Sequence, residues 1–323
     1  MERKANIYWG LGLSYGIHFE VDRAIQAVNE CLKLKEKLVG ADDSSLVDPL
    51  IEIAYLHSLQ GRLTDAIPLL ERALAISEKK FGPESTETAT VLEFLGNNKA
   101  QAGQFELALA CLKRSVQIRE KMSPATSPDL GTAMSSLGNV YFKIGDYGQA
   151  MPLLERSVSL LEKSYVTHDA ASAGQLASAL NTLGTAQLHF GEYDKAISTL
   201  QRGLTVSKLA FGNASVMLVD DLNSLAEAYR TRGDVDRARP LLVRALRILG
   251  GAPSVMNSVR VDTLNGLAWM LLDIGDEDAA LKLFSQAKDL GDKQLGSFGV
   301  PFAFSLNGLA FINARQGNIA EAL

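Results

Sequence analysis

The chain has 323 residues, of which 47% are hydrophobic and 7% aromatic, and its formal net charge is −5 at pH 7. Few aromatic residues combined with many alanines and leucines favour helices over a β-sandwich or a β-barrel. A negatively charged chain without a basic stripe argues against nucleic-acid binding, because such binders replace phosphate counterions with clustered Lys and Arg. No apolar run approaches the roughly 20 residues of a membrane-spanning helix, so membrane insertion is not expected either.

The cysteines and histidines indicate neither a disulfide framework nor a metal site. Cys31 and Cys111 lie far apart, and the sequence contains no CxxC pair, which fits a reducing compartment. None of the four histidines has another histidine three or four residues away, so we expect no metal site and no other cofactor. Without a recognisable signal peptide, the protein is predicted to be cytoplasmic; an organelle interior such as a plastid is the alternative if a targeting segment was removed.

A glycine recurs at a nearly constant interval along the chain, and a period of this length indicates a repeat architecture. The series is Gly61, Gly103, Gly145, Gly191, Gly233, Gly275 and Gly317. Every interval is 42 residues except the interval of 46 between Gly145 and Gly191, and stepping back 42 residues from Gly61 gives Phe19. The four extra residues predict a longer loop or a helix extension near residues 164–175.

The residues around each glycine predict a pair of packed helices. An alanine stands five residues later, a Gly or Ala stands seven residues earlier, and a larger apolar residue stands nine residues later wherever the chain extends that far. Gly184 and Leu200 are the two packing positions around Gly191. These offsets trace one face of a helix before the glycine, helix A, and one face of a helix after it, helix B. Small residues at the contact let the two helices approach closely.

One helix pair has too little core to be stable alone, so successive pairs must stack on one another. The sequence therefore predicts an all-α fold and a single array over residues 1–323, with an incomplete last repeat. The eight predicted repeats are 5–40, 47–81, 89–123, 131–166, 177–211, 219–250, 261–291 and 303–323.

This pattern resembles the tetratricopeptide repeat, whose helix A carries a Leu, then Gly or Ala, then Tyr. The tyrosine position is occupied by Tyr15, Tyr141 and Tyr229. The 42-residue period exceeds the usual 34, and the segment LLERALAI at residues 69–76 is similar to the kinesin light chain type of the repeat. The resemblance implies an α-solenoid of helix-turn-helix repeats forming a right-handed superhelix. It also implies a concave groove, lined by A helices, that binds a peptide segment of a partner.

Four asparagines stand ten residues before a series glycine, one in each of the last four repeats. They are Asn181, Asn223, Asn265 and Asn307. An asparagine amide offers both a donor and an acceptor, so such a row can bind a peptide backbone without selecting its side chains. The resemblance implies that these four contact a bound peptide, and we expect replacing Asn223 and Asn265 by alanine to weaken binding without changing thermal melting. The alternative is that they cap or stabilise helix starts.

Five further residues are predicted to line the same groove. They are Asn97, Asn139, Lys143, Glu227 and Arg230. Their mixed charges favour a patterned groove, and no nucleophile, general base or metal-ligand set accompanies them, so no catalytic residue is assigned. The predicted function is a non-catalytic scaffold or adaptor that binds a protein or peptide whose identity the sequence does not give.

Two alternatives remain open at the sequence level. The array could be a structural assembly platform or a homo-oligomer that acts through its convex face or its last repeat. Apolar residues such as Phe302, Phe304 and Phe311 in that repeat favour self-association there. The chain could also be a regulatory part of a larger protein or enzyme complex.

Overall fold

The computed structural model describes residues 1–122, 124, 127–166, 169–253, 256–294 and 300–318. Within these ranges all regular structure is helical, with fifteen α-helices and two short 3-10 turns, Ser44–Leu46 and Val216–Leu218. The helices pack as consecutive antiparallel pairs, so the all-α repeat solenoid predicted from the sequence is confirmed. The chain divides into two compact units, residues Met1–Ser164 (unit 1) and Tyr165–Leu323 (unit 2).

Unit 1 contains four helix pairs. Its helices are α1 (Glu2–Ile17), α2 (Val21–Val39), α3 (Val47–Leu59), α4 (Leu63–Phe81), α5 (Thr86–Gln101), α6 (Phe105–Met122), α7 (Pro128–Lys143) and α8 (Tyr147–Ser164). Odd-numbered helices are the A helices of successive repeats and even-numbered helices are the B helices. Helix α5 contacts both α3 and α7, so neighbouring A helices share one surface, which we name the A face of the unit.

Unit 2 contains three helix pairs and one further A helix within the described residues. Its helices are α9 (Ala170–His189), α10 (Tyr193–Phe211), α11 (Val219–Thr231), α12 (Val235–Leu249), α13 (Asn257–Asp273), α14 (Glu277–Gln294) and α15 (Val300–Arg315). Helices α9, α11 and α13 each contact the next A helix along the chain, the last of which is α15, and these four helices form the A face of unit 2. The predicted ends of the last repeat, residues 319–323, lie outside the described residues.

The recurring glycines close the turn between helices A and B in a left-handed backbone conformation. Their φ angles range from 72° at Gly61 to 86° at Gly191. The residue that follows each glycine donates its backbone N–H to the carbonyl of the residue five positions before it, as Asp234 does to Tyr229 at 2.9 Å. This hydrogen bond satisfies a carbonyl that has no partner within helix A. Phe19 keeps the same conformation with φ 57°, although a side chain makes that region unfavourable.

Replacing Gly233 by alanine should lower the free energy of unfolding by about 1–2 kcal/mol, because only backbone strain opposes the new methyl group. No atom lies within 4 Å of a Cβ built at Gly233, so steric overlap contributes nothing. Gly10→Ala is the matched control: its Cβ also meets nothing within 4 Å, but Gly10 lies inside α1. There alanine should stabilise the helix by about 0.5–1 kcal/mol. Urea denaturation tests both, and an unchanged midpoint for Gly233→Ala would contradict this account of the turns.

The close approach of helices A and B predicted from small residues is present. A Cβ added at Gly96, Gly138 or Gly184 would come within 2.6–2.8 Å of a leucine side-chain carbon on the paired helix B. Leu200, the partner of Gly184, is 1% exposed. The leucine at the B-helix position therefore fits into the space that the missing side chain leaves.

The four-residue insertion extends a helix. Helix α9 has 20 residues, whereas the A helices α5 and α7 have 16 each. Asp169 caps its start by accepting hydrogen bonds from the backbone N–H groups of Ala171 and Ser172. Residues 167 and 168, also inside the segment predicted to change, lie outside the described residues.

Candidate functional site

The asparagine row connects neighbouring A helices of unit 2. Asn181 Nδ2 donates to Asp221 Oδ1 at 3.2 Å, and Asn181 Oδ1 accepts from Ser224 Oγ at 3.2 Å. One repeat later, Asn223 Nδ2 donates to Thr263 Oγ1 at 2.9 Å. These bonds join residues about 40 positions apart, so each asparagine links its helix to the A helix of the next repeat. They lie well inside their helices and do not cap helix starts.

The remaining members of the row differ in burial. Asn265 is 4% exposed and accepts from Ser305 Oγ at 2.8 Å, whereas Asn307 is exposed on α15. The Oδ1 atom of Asn223 is buried and has no hydrogen-bond partner among the described residues. Since a buried hydrogen bond contributes about 0.5–1.5 kcal/mol, the expectation of unchanged melting after removal of Asn223 and Asn265 does not fit these contacts.

The three residues predicted in unit 1 lie on α5 and α7. Asn97 Nδ2 donates to Ser136 Oγ at 3.2 Å, again between neighbouring A helices. Asn139 is half-buried and Lys143 is exposed near the end of α7. They belong to the A face of unit 1.

A pocket of about 250 Å³ opens on unit 2 and brings three predicted residues together: Asn223, Glu227 and Arg230. Its other lining residues are Thr185, Leu188, His189, Ser224, Ala226, Leu242, Asp262 and Gly266. Helices α9, α11 and α13 supply all of them except Leu242 on α12. The pocket therefore lies where three successive A helices meet, with polar walls and the apolar side chains of Leu188 and Leu242.

Arg230 is held by two carboxylates. Its Nε and Nη2 atoms donate to the two carboxylate oxygens of Glu227 at 2.8 and 2.7 Å, and Nη1 donates to Asp273 Oδ2 at 2.8 Å. The hydrogen bonds that Arg230 donates to Glu227 raise the pKa of the Arg230 guanidinium further above its usual range. The arginine is thus fixed in one orientation, and two negative charges compensate its one positive charge.

Asp220 and Asp262 stand at equivalent positions on α11 and α13, 42 residues apart. Neither has a basic partner in the described part of the chain. The surrounding protein atoms restrict hydration and raise the pKa of both carboxyl groups, for Asp262 to about 7, where the nearby charge of Asp220 adds to the shift. Both residues are nevertheless exposed, so solvent screens their charges and reduces the energetic consequence of the shift.

In unit 1, Glu93 stands ten residues before Gly103, at the position that an asparagine of the row occupies in each repeat of unit 2. Arg119 of α6 is 4% exposed and lies 3.3 Å from the carboxylate of Glu93 and 3.4 Å from that of Asp129. Burial raises the pKa of Glu93 to about 7 although Arg119 opposes the shift. The Glu93 carboxylate therefore forms an ion pair with the buried Arg119.

Thr185, His189 and Ser224 also line the pocket, although the sequence pattern did not predict them as site residues. Thr185 stands six residues before Gly191, and the predicted residue Glu227 stands six residues before Gly233. Their common position in the repeat could therefore have indicated Thr185 as a pocket residue. The described residues contain no group of three or more His, Cys, Asp or Glu side chains arranged to hold a metal ion. Within the same ranges, no helix has the length and apolar character needed to cross a membrane.

Family models of the tetratricopeptide repeat match the chain at residues 46–121 and 175–250, at 130–168 and at 223–294. Together the matched segments cover well over half of the 323 residues. The chain belongs to the tetratricopeptide repeat family. No curated protein matches its sequence. Proteins with this fold typically serve as non-catalytic interaction scaffolds.

Several solved structures are similar to this chain in fold. The nearly identical TPR-like repeats of a Podosopora anserina protein described as a kinesin light chain share 21% identity over 64% of this chain and 97% of that one, with a TM-score of 0.51. The apo form of the quorum sensor NprR from B. thuringiensis shares 14% identity over 96% and 83%, with a TM-score of 0.69. A Rap protein complexed with Competence and Sporulation Factor shares 16% over 91% and 76%, with a TM-score of 0.66. At these identities the likeness concerns the fold alone.

Proposed function

We propose that this tetratricopeptide repeat protein is a non-catalytic, cytoplasmic scaffold or adaptor that binds a linear segment of a partner protein on the A face of unit 2. The observation that carries the proposal is the pocket between α9, α11 and α13. It is concave and combines polar groups with an apolar wall, as binding sites do. We also propose that both units belong to one array of repeats over residues 1–323, because the glycine series runs through both.

The asparagine row supports binding in a different way from the one expected. Its amides hold adjacent A helices in register, so the pocket wall is organised before a partner arrives, which reduces the entropic cost of binding. Asn223 adds a buried acceptor without a partner in the described part of the chain, which a side-chain rotation would offer to a backbone N–H. A flexible segment loses conformational freedom on binding, so we expect a dissociation constant on the order of micromolar.

Selection of displayed random peptides on the immobilised protein, followed by fluorescence anisotropy with one selected peptide, tests this function. Asn223→Ala should weaken peptide binding about tenfold, because the residue lines the pocket and faces the bound segment. The matched control is Asn98→Ala in unit 1, since Asn98 also bonds an A helix 40 residues away through Ser58. Both variants should lose about 1 kcal/mol of stability in urea. Equal affinities for the two variants would contradict the proposed site.

A second candidate function is self-association through the last described A helix. Phe304 and Phe311 on α15 are 52% and 46% exposed, and the side chain of Phe302 lies outside the described residues. Exposed aromatic groups of this kind occur at interfaces between protein chains. Light scattering over a range of protein concentrations distinguishes the two functions, because peptide binding on the A face requires no change in mass.

A further inference from the structure

The pocket region of unit 2 carries an excess of negative charge. Four carboxylates, those of Asp220, Glu227, Asp262 and Asp273, lie at or beside the pocket, whose lining also contains Arg230 and His189. Glu227 and Asp273 both engage that arginine. The pocket therefore holds no free positive charge from Arg230 for an acidic ligand, whereas Asp220 and Asp262 have no basic partner among the described residues.

Two acidic side chains at equivalent positions of neighbouring helices repel one another. Nothing basic offsets Asp220 or Asp262 within the described residues, and restricted hydration makes their charged forms more costly. Carboxylates with a perturbed pKa in a cleft are typical of functional sites, and Asp262 lines the pocket. A cation placed between them would relieve both the repulsion and the loss of hydration.

The shape and lining of the pocket fit a long basic side chain. Leu188 and Leu242 provide apolar contact for a methylene stem, which Lys and Arg bury while their charged heads stay among polar groups. The head would lie beside Asp262, near the oxygen-rich side chains of Ser224 and Asn223. A carboxylate in the same place would meet acidic neighbours and no uncompensated cation from Arg230.

Resting on the proposed function, we propose that this pocket selects a basic residue, Lys or Arg, of the partner segment and holds it through Asp262 and Asp220. The partner is thus a peptide with at least one positive charge flanked by residues that lie along α11 and α13. The two aspartates would thereby select one side chain of the partner segment, whereas the asparagines of the row bond side chains of the neighbouring A helix.

Fluorescein-labelled nonapeptide pools test the inference directly. Each pool has one residue fixed at the centre, Arg, Lys, Gln or Glu, and random residues elsewhere. The full chain should bind the Arg and Lys pools about tenfold more tightly than the Glu pool, because opposite charges attract and like charges repel across the site. Asp220→Asn/Asp262→Asn should remove most of this difference. The control Asp236→Asn/Asp278→Asn changes the net charge equally, again at two positions 42 residues apart but on helices α12 and α14, and should preserve it.

The outcomes separate the two proposals. If every pool binds equally well to the wild-type chain, peptide binding stands and selection of a basic residue is wrong. If no pool binds, the proposed function itself fails. If the control variant loses the preference to the same extent as Asp220→Asn/Asp262→Asn, general charge attraction explains it and the assignment to this pocket is wrong.

The same double variant gives a stability readout that guards against misfolding. The pKa of Asp262 is raised in the folded chain, so its ionisation opposes folding as pH rises from about 4 to 7. The facing charged or titratable groups are Asp220, Glu227 and Arg230 on α11 and His189 on α9. Asp220→Asn/Asp262→Asn should therefore melt at a higher temperature than wild type at pH 8 and at an unchanged temperature at pH 4. A lower melting temperature at pH 8 would contradict the uncompensated charges on which the inference depends.

Discussion

Phe284→Ala is expected to lower the free energy of unfolding of unit 2 by about 3–5 kcal/mol, the usual cost of removing a large buried aromatic side chain. Phe284 is fully buried. Its ring contacts the edge of Trp269 with centroids 5.3 Å apart, and a Cβ added at Gly308 would come within 2.3 Å of its Cζ atom. It therefore joins α14 to both α13 and α15. Since repeats are stabilised chiefly by their neighbours, the loss should uncouple α15 from the remainder of the unit.

Urea denaturation followed by circular dichroism measures this effect. Phe190→Ala is the matched control, because Phe190 is 59% exposed in the same unit and its loss should cost less than about 1 kcal/mol. The loss of unfolding free energy for Phe284→Leu should lie between the losses for Phe284→Ala and Phe190→Ala. A change for Phe284→Ala as small as that of the control would mean that the contact between α14 and α15 contributes little to the stability of the last repeats.

Arg119→Ala should destabilise unit 1 by about 3–5 kcal/mol, because removing one member of a buried ion pair leaves the other charge uncompensated. The carboxylate left behind is Glu93, which is already costly to ionise: burial raises its pKa to about 7 with the arginine present. Because this pKa is higher in the folded state, protonation of Glu93 stabilises the fold. That contribution to the free energy of unfolding is lost as pH rises through 7. Without Arg119 the pKa of Glu93 rises further, so the loss should be greater at pH 8 than at pH 5.

Chemical denaturation at the two pH values checks this prediction. The double variant Arg119→Met/Glu93→Gln removes both charges while keeping most of the volume, and it should recover much of the stability. Arg72→Ala is a suitable control, since Arg72 pairs with Glu36 while both side chains remain about one-third exposed. Exposed pairs contribute about 0–1 kcal/mol. A loss for Arg119→Ala that is equal at pH 5 and pH 8 would contradict the role assigned to Glu93.

The repeat architecture could be predicted from the sequence because one physical requirement recurs at one spacing. Each turn needs a left-handed residue, which glycine adopts without cost, and each helix contact needs a small residue facing a large one. Gly184 and Leu200 meet as their spacing predicts. Phe19 shows where the pattern reaches its limit: the glycine is absent, yet the backbone keeps φ 57° because the surrounding helices impose the same turn.

The site was harder to predict, because helical periodicity gives the face on which a residue lies but not the group that the next helix presents. Asn223 and Asn265 lie on A helices as predicted, yet their partners Thr263 and Ser305 become apparent only when the helices are placed side by side. The pKa of Asp262 is raised by the protein atoms that surround it and, to a smaller extent, by the charge of Asp220 one repeat earlier. Tertiary neighbours, and not local sequence, decide the chemistry of this surface.

Photo-crosslinking tests most directly whether a partner segment binds the A face of unit 2. A benzophenone amino acid is introduced in place of Ser178, which is exposed on α9 at the position equivalent to Asp220, or in place of Arg239, which is exposed on α12. A selected peptide should crosslink from position 178, lose that product when unlabelled peptide competes, and give little product from position 239. Saturable crosslinking from position 239 with none from position 178 would contradict the account and move the binding surface to the B helices.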